Sequence, residues 1–237
     1  MSPGVAIAIA GAGCVLVFAG IAWLVIWLNR SNAAAEKAAL GRLQEEAARR
    51  GWTFAERDDR YVDVYHAQVQ LTERNPLQPL TPLPRASAAR DVVTGTHRGR
   101  PFLAASFTVH HRHEQITQRC IWVRTPAPRP PLTVRRVGRA QRTVDAALGQ
   151  YPSIGDPAFD ERFEVSTGDE RFARAVLNPR MTNFLLNEDR QFRGFALLGD
   201  QLEVLDPVSD HRDPAELIPA LDLRCDILDL IPADVWK

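Results

Sequence analysis

Three of the chain's six histidines, His110, His111 and His113, fall within four positions, and Cys120 lies just downstream. Imidazole nitrogens and a thiolate are common zinc ligands, and three of them with an open fourth position make a hydrolytic centre. If residues 102–113 form one strand, alternation puts Leu103, Phe107, Val109, His111 and His113 on one face and turns His110 to the other. A hairpin turning near Gln115-Ile116 then sets His111 opposite Cys120. His111, His113 and Cys120 thereby become the candidate metal ligands of a zinc-dependent hydrolase. The competing reading is a polar hairpin tip. Arg112 and Arg119 bring positive charge close to the would-be cation, and no Gly or Asn marks the turn.

Other signatures of catalysis are missing. There is no GxSxG, Walker A, HExxH or CxxC motif, and no cofactor is expected. Asp160-Glu161 and Glu164 read as solvated strand residues, and Asp169-Glu170 suits a helix start, where the dipole favours carboxylates. Three cysteines, Cys14, Cys120 and Cys225, are too few for a disulfide framework.

Charge is zoned along the chain. Its net value is zero, yet residues 85–142 hold twelve arginines against two acids, and residues 143–237 hold nineteen acids against nine bases. Either the basic ribbon and the acidic half pack together, or the ribbon faces an anionic surface or a protein partner. Arg98, Arg100, Arg112, Arg119, Arg124, Arg135 and Arg136 are the candidates for that contact. Lipid head groups suit it, at about 1 kcal/mol per basic side chain near the membrane. Nucleic acid is not expected, because the segment has only Phe102, Phe107 and Trp122 for stacking.

An anionic surface is close by if the N-terminus is a membrane anchor. Residues 5–28 form an uncharged apolar run, which as a helix extends roughly 36 Å, enough for a hydrocarbon core of about 30 Å. Trp23 and Trp27 sit where aromatic rings prefer the interface, and Arg30 follows. Lys37, Arg42, Arg49 and Arg50 come after the span and nothing basic precedes it except the α-amino group. The positive-inside rule therefore sets the N-terminus outside and the rest in the cytoplasm, as a single-pass plasma-membrane protein. The expected organisation is a short tail over 1–4, a span over 5–28, a solvated juxtamembrane helix over 29–50 and a globular domain over 51–237.

Within that domain, residues 75–84 carry four prolines and read as an extended connection. Apolar segments flanking residues 95–99 predict a hairpin, and a second proline cluster at 126–131 ends the strand unit. A short strand, a helix ending at Gly149 and another strand near Phe163 follow. Thr167 with Glu170 predicts a capping box, and Asn178-Pro179 and Asp213-Pro214 predict two further helix starts. Pro219 should kink or interrupt the last helix. Residues 192–206 predict a hairpin turning on Gly199-Asp200. Strands and helices without βαβ regularity predict an α+β fold with mostly antiparallel pairing.

Several of these stretches resemble a family of uncharacterised single-pass membrane proteins of actinobacteria, over roughly residues 49–237. Gly51-Trp52, His97-Arg98-Gly99-Arg100-Pro101-Phe102 and Asn178-Pro179-Arg180-Met181 carry the resemblance. It implies an actinobacterial source and a membrane-tethered globular domain, and it brings no catalytic residue with it. The function expected is a non-catalytic binding or scaffold domain at the inner membrane face.

Overall fold

The computed structural model describes residues 23, 24, 27, 37–72, 83–111, 114–137, 153–188, 190 and 192–237. The expected span therefore lies outside the described residues except for Trp23, Leu24 and Trp27, which are helical and exposed. The helix expected to end at Gly149 and most of the proline-rich connection also fall outside them. Among the described residues no helix is long and apolar enough to cross a membrane.

Helix α1 covers residues 37–50 and is followed by β1 (Thr53–Arg57), α2 (Tyr61–Leu71), β2 (Arg85–His97), β3 (Arg100–His111) and β4 (Glu114–Arg136). Then come α3 (Pro157–Asp160), β5 (Phe163–Thr167), α4 (Glu170–Val176), α5 (Pro179–Asn187), β6 (Gly194–Val204) and α6 (Pro214–Leu230). A 3-10 turn, Ala233–Trp236, closes the chain. The six strands form one sheet in the order β1-β2-β3-β4-β5, with β6 also on β4. Every pairing is antiparallel, so the fold is α+β with an antiparallel sheet.

The β2–β3 hairpin turns where the sequence places it. His97 pairs with Arg100, and both intervening residues have positive φ, 50° at Arg98 and 79° at Gly99. That is the backbone of a two-residue turn matched to strand twist.

Strand β6 is itself folded in two. Arg193 N donates to Leu205 O at 2.9 Å, and Leu205 N donates to Gly194 O at 2.8 Å. An extended strand of this length would hold those ends roughly 35 Å apart. The bend is at Gly199, whose φ is 61°, so the hairpin expected on Gly199-Asp200 is present. Its two arms pair with two separate parts of β4: Trp122–Arg124 with Gln201–Glu203, and Leu132–Arg135 with Gly194–Leu197. Strand β4 must therefore wrap the hairpin's tip.

That wrapping corrects the reading of the second proline cluster. Pro126, Pro128, Pro130 and Pro131 do not end the strand; they fall in the two register shifts between Arg124 and Leu132. A residue without an N–H is tolerated where a ladder bond is already missing.

The sheet has two cores. One face carries Val93, Phe102, Ala104, Ile121, Val123, Leu132 and Val134 and packs against α1, α4, α5 and α6. The other carries Ala89, Val92, Leu103, Ala105, Phe107, Val109, Cys120 and Trp122 and lies under Tyr65 of α2.

Helix α1 is not a solvated stalk. Leu43 is 0% exposed within the main core, Ala47 is buried beside it, and Arg42 reaches Asp213 at 3.4 Å. Its alanines allow close approach, so a narrow Leu40-Leu43-Ala47 stripe suffices. Gly51 (φ 68°) ends it, and Trp52 docks on β2 through Nε1 to Thr96 O at 3.0 Å.

Two other local expectations change. Asp169, not Thr167, caps α4, accepting from Phe172 N at 3.0 Å, while Thr167 Oγ1 instead accepts from Asp169 N. Helix α6 runs unbroken through Pro219, which lies near its start. One missing N–H is outweighed there by the burial of Leu217, Leu221, Ile227 and Leu228. Asn178 and Asp213 cap α5 and α6 as expected.

Candidate functional site

The β3–β4 register decides the zinc reading. His111 pairs with Glu114, and Gln115 and Ile116 are themselves paired with His110 and Val109, so the chain does not turn at Gln115-Ile116. Cys120 lies opposite Ala105, six residues along β3 from His111, or about 20 Å. Strand pairing continues to His111, and each added pair moves Cys120 further from the tip. Cys120 is also buried, and that burial pushes its thiol well up, away from the thiolate a metal needs. His113 lies outside the described residues, and among those described no group of His, Cys, Asp and Glu is arranged to hold a metal ion.

The arginines divide into two sets. At the β2–β3 turn, Arg98 donates from Nη1 to Asp226 Oδ1 and from Nη2 to Asp229 Oδ2, both at 2.6 Å. Arg100 reaches Asp229 Oδ1 at 2.7 Å, and His97 Nε2 lies 2.8 Å from Asp222 Oδ1. Asp222, Asp226 and Asp229 share one face of α6, so this tip of the basic ribbon is neutralised by the acidic half. Arg124 Nε donates to Asp200 Oδ2 at 2.9 Å on the β6 hairpin tip. Arg136 donates to the carbonyls of Leu185 and Glu188 at the end of α5, and its guanidinium lies 5.4 Å over Phe163. Arg119 and Arg135 are exposed, opposite Ser106 and Glu164. Arg112 lies outside the described residues.

The most heavily committed charge escaped the sequence reading. Arg224 of α6 is 1% exposed, and its five N–H groups are all used. They go to Ile121 O, Ala220 O and Val204 O, and to both oxygens of Asp206 at 2.8 and 3.0 Å. A lone arginine set among Leu221, Leu223, Ile227 and Leu228 was the available signal.

Three more enclosed groups carry shifted protonation. The Glu203 carboxyl is enclosed next to Trp122, its partner in register, and burial raises it while the Trp122 indole and Arg224 oppose that shift. Under α2, burial pushes the Tyr65 hydroxyl beyond the usual tyrosine range, and it donates to Gln118 Oε1 at 2.7 Å. His211 is fully buried, its Nε2 2.7 Å from Asp91 O, and desolvation lowers it. It braces the β2 bulge at Asp91, where φ is 50°. None of these groups lines an open cleft with a nucleophile and a base in reach of one another, which is the geometry catalysis would need.

No protein-family model and no curated protein matches the chain. Among solved structures the chain is similar to the crystal structure of the mycobacterial trehalose monomycolate transport factor A, TtfA. The likeness is 14% in identity and 0.49 in TM-score, over 82% of this chain and 96% of that one. Nothing about ligand or role transfers at that level.

Proposed function

We propose that the chain is a membrane-tethered, non-catalytic binding domain held at the inner face of the plasma membrane. The observation that carries this reading is the packing of α1. The helix that follows the uncharged run over 5–28 is part of the domain's core through Leu43 and Ala47. A span joined to a docked helix gives the domain a set orientation, which suits a surface that meets a partner in the plane of the membrane.

Fractionation of the full chain and of a variant lacking 5–28 tests the tether. The full chain should stay with membranes through alkaline carbonate extraction while the deletion variant is released. Release of the full chain removes the tether. A C-terminal reporter active only after export reverses the orientation.

A further inference from the structure

The two ends of the sheet differ in what their basic residues touch. At the β2–β3 end, Arg98, Arg100 and Arg124 are ion-paired with Asp226, Asp229 and Asp200. At the β3–β4 end, three cross-strand rows lie on the face that packs against α1, α4, α5 and α6: Arg85-His110-Gln115, Ala88-Thr108-Thr117 and Arg90-Ser106-Arg119. Parity fixes that face, since Ala104 and Ile121 continue the same series into the main core. No acid stands in any of the three rows. Arg85, Arg90, His110 and Arg119 are all exposed, and none has an ion-pair partner within hydrogen-bond reach among the described residues. Asp59 lies close enough to Arg90 to feel its charge, and His211 close enough to Arg119.

Helix α1 lies on this same face and runs toward this end. Its C-terminus is pinned at the β2–β3 end by Trp52 on Thr96. More than two turns back, Arg42 meets Asp213, beside the His211 and Arg212 that hold Asp91 midway along β2. Residues 37–50 rise about 21 Å, so α1 runs from the β2–β3 end past the level of Asp91 and toward the end that carries Arg85 and Arg119. The start of α1 at residue 37 is thus directed toward the end of the sheet that carries these basic rows, while the neutralised arginines sit at the opposite end.

We propose that the face formed by Arg85, Arg90, His110 and Arg119 docks on the anionic head groups of the leaflet from which α1 emerges. This rests on the membrane-tether reading above. Arginine near a charged leaflet gains Coulomb energy without desolvation of a buried pair, and each contributes about a five-fold bias toward the docked state. The contact is also screened by salt within about 10 Å at 0.1 M.

The test uses the full chain inserted in nanodiscs of phosphatidylcholine with or without phosphatidylglycerol. A fluorophore is placed at Thr117→Cys, in the middle row, or at Pro126→Cys, exposed at the other end. Quenching by a head-group-labelled lipid is the readout. Quenching should be several-fold stronger at 117 than at 126, should require phosphatidylglycerol, and should fall with added salt. Arg85→Glu with Arg119→Glu should abolish the difference while the thermal melt stays that of the parent. Equal quenching at both positions, or quenching at 117 indifferent to phosphatidylglycerol and to charge reversal, overturns the proposal. Co-elution of chain with disc is scored first, so failure of the tether itself appears as failure to insert.

Discussion

Replacing Arg224 with Met tests the buried guanidinium directly. The change keeps most of the side-chain volume and removes five hydrogen bonds at once, those to Ile121, Val204, Ala220 and both oxygens of Asp206. The Ala220 carbonyl can still serve the helix ladder, but the carbonyls of Ile121 and Val204 lose this donor. The Asp206 side chain is only 10% exposed and becomes an uncompensated charge. Breaking a buried pair in this way costs about 3–5 kcal/mol. At roughly 2–4 °C per kcal/mol for a chain of this size, Tm should fall by about 6–20 °C. Removing both partners, Arg224→Met with Asp206→Leu, should recover most of the loss, because no charge is left stranded. Urea unfolding of the full chain, followed by tryptophan fluorescence, measures both variants against the parent. A single variant within about 0.5 kcal/mol of the parent would mean that water already reaches the pair. A double variant no better than the single would show that the carbonyl bonds, not the charge, carry the cost.

Leu43→Ala should cost about 2–5 kcal/mol by the same assay if α1 belongs to the core, against under 0.5 kcal/mol for an exposed stalk position. The Glu203 carboxyl is raised above its ordinary 4.5 by burial, so the folded state holds a proton that the unfolded chain releases. Its contribution is present below pH 4.5 and is lost as pH rises from there through the raised native value, and Glu203→Gln should flatten that slope and stabilise the chain at neutral pH. His211 shifts in the opposite sense. Lowered below 6.5 by burial, it makes a contribution that is present above pH 6.5 and lost as pH falls toward the native value. His211→Gln, which keeps a donor for Asp91 O, should remove this acid-side slope in a pH series of urea melts; an unchanged slope would refute the assignment.

Hairpins and helix starts were the legible parts of the sequence. Arg98-Gly99 and Gly199 announce turns because positive φ is expensive elsewhere, and Asn178-Pro179 and Asp213-Pro214 supply a cap and a fixed φ together. What could not be read depended on partners distant in sequence. The stripe on α1 looked too thin to bury until α6, 170 residues later, supplied the other wall; Arg42 and Asp213 mark that contact. Four prolines in β4 were misread as an end because their tolerance comes from the β6 hairpin they pass around. The expected pairing of His111 with Cys120 failed on register, since Cys120 lies opposite Ala105 and faces the second core. Of the arginines named from composition, only position in the sheet separates Arg98, matched to Asp226 and Asp229, from Arg119, whose row contains no acid.

The folded-back β6 also has a consequence for synthesis. Residues 122–135 and 194–203 complete each other's ladders, so the two arms of β4 stay without that pairing until some seventy further residues have been made. A nascent chain would carry those apolar edges, among them Val123, Leu132 and Val134, for the whole interval. Long-range pairing of this kind is slow and leaves strand edges open to wrong partners. The final helix depends on the same event, because Arg224 takes Ile121 O from one strand and Val204 O from the other. Assembly of this domain is therefore governed by its C-terminal forty-odd residues, and truncations there should yield aggregation and not a smaller folded core.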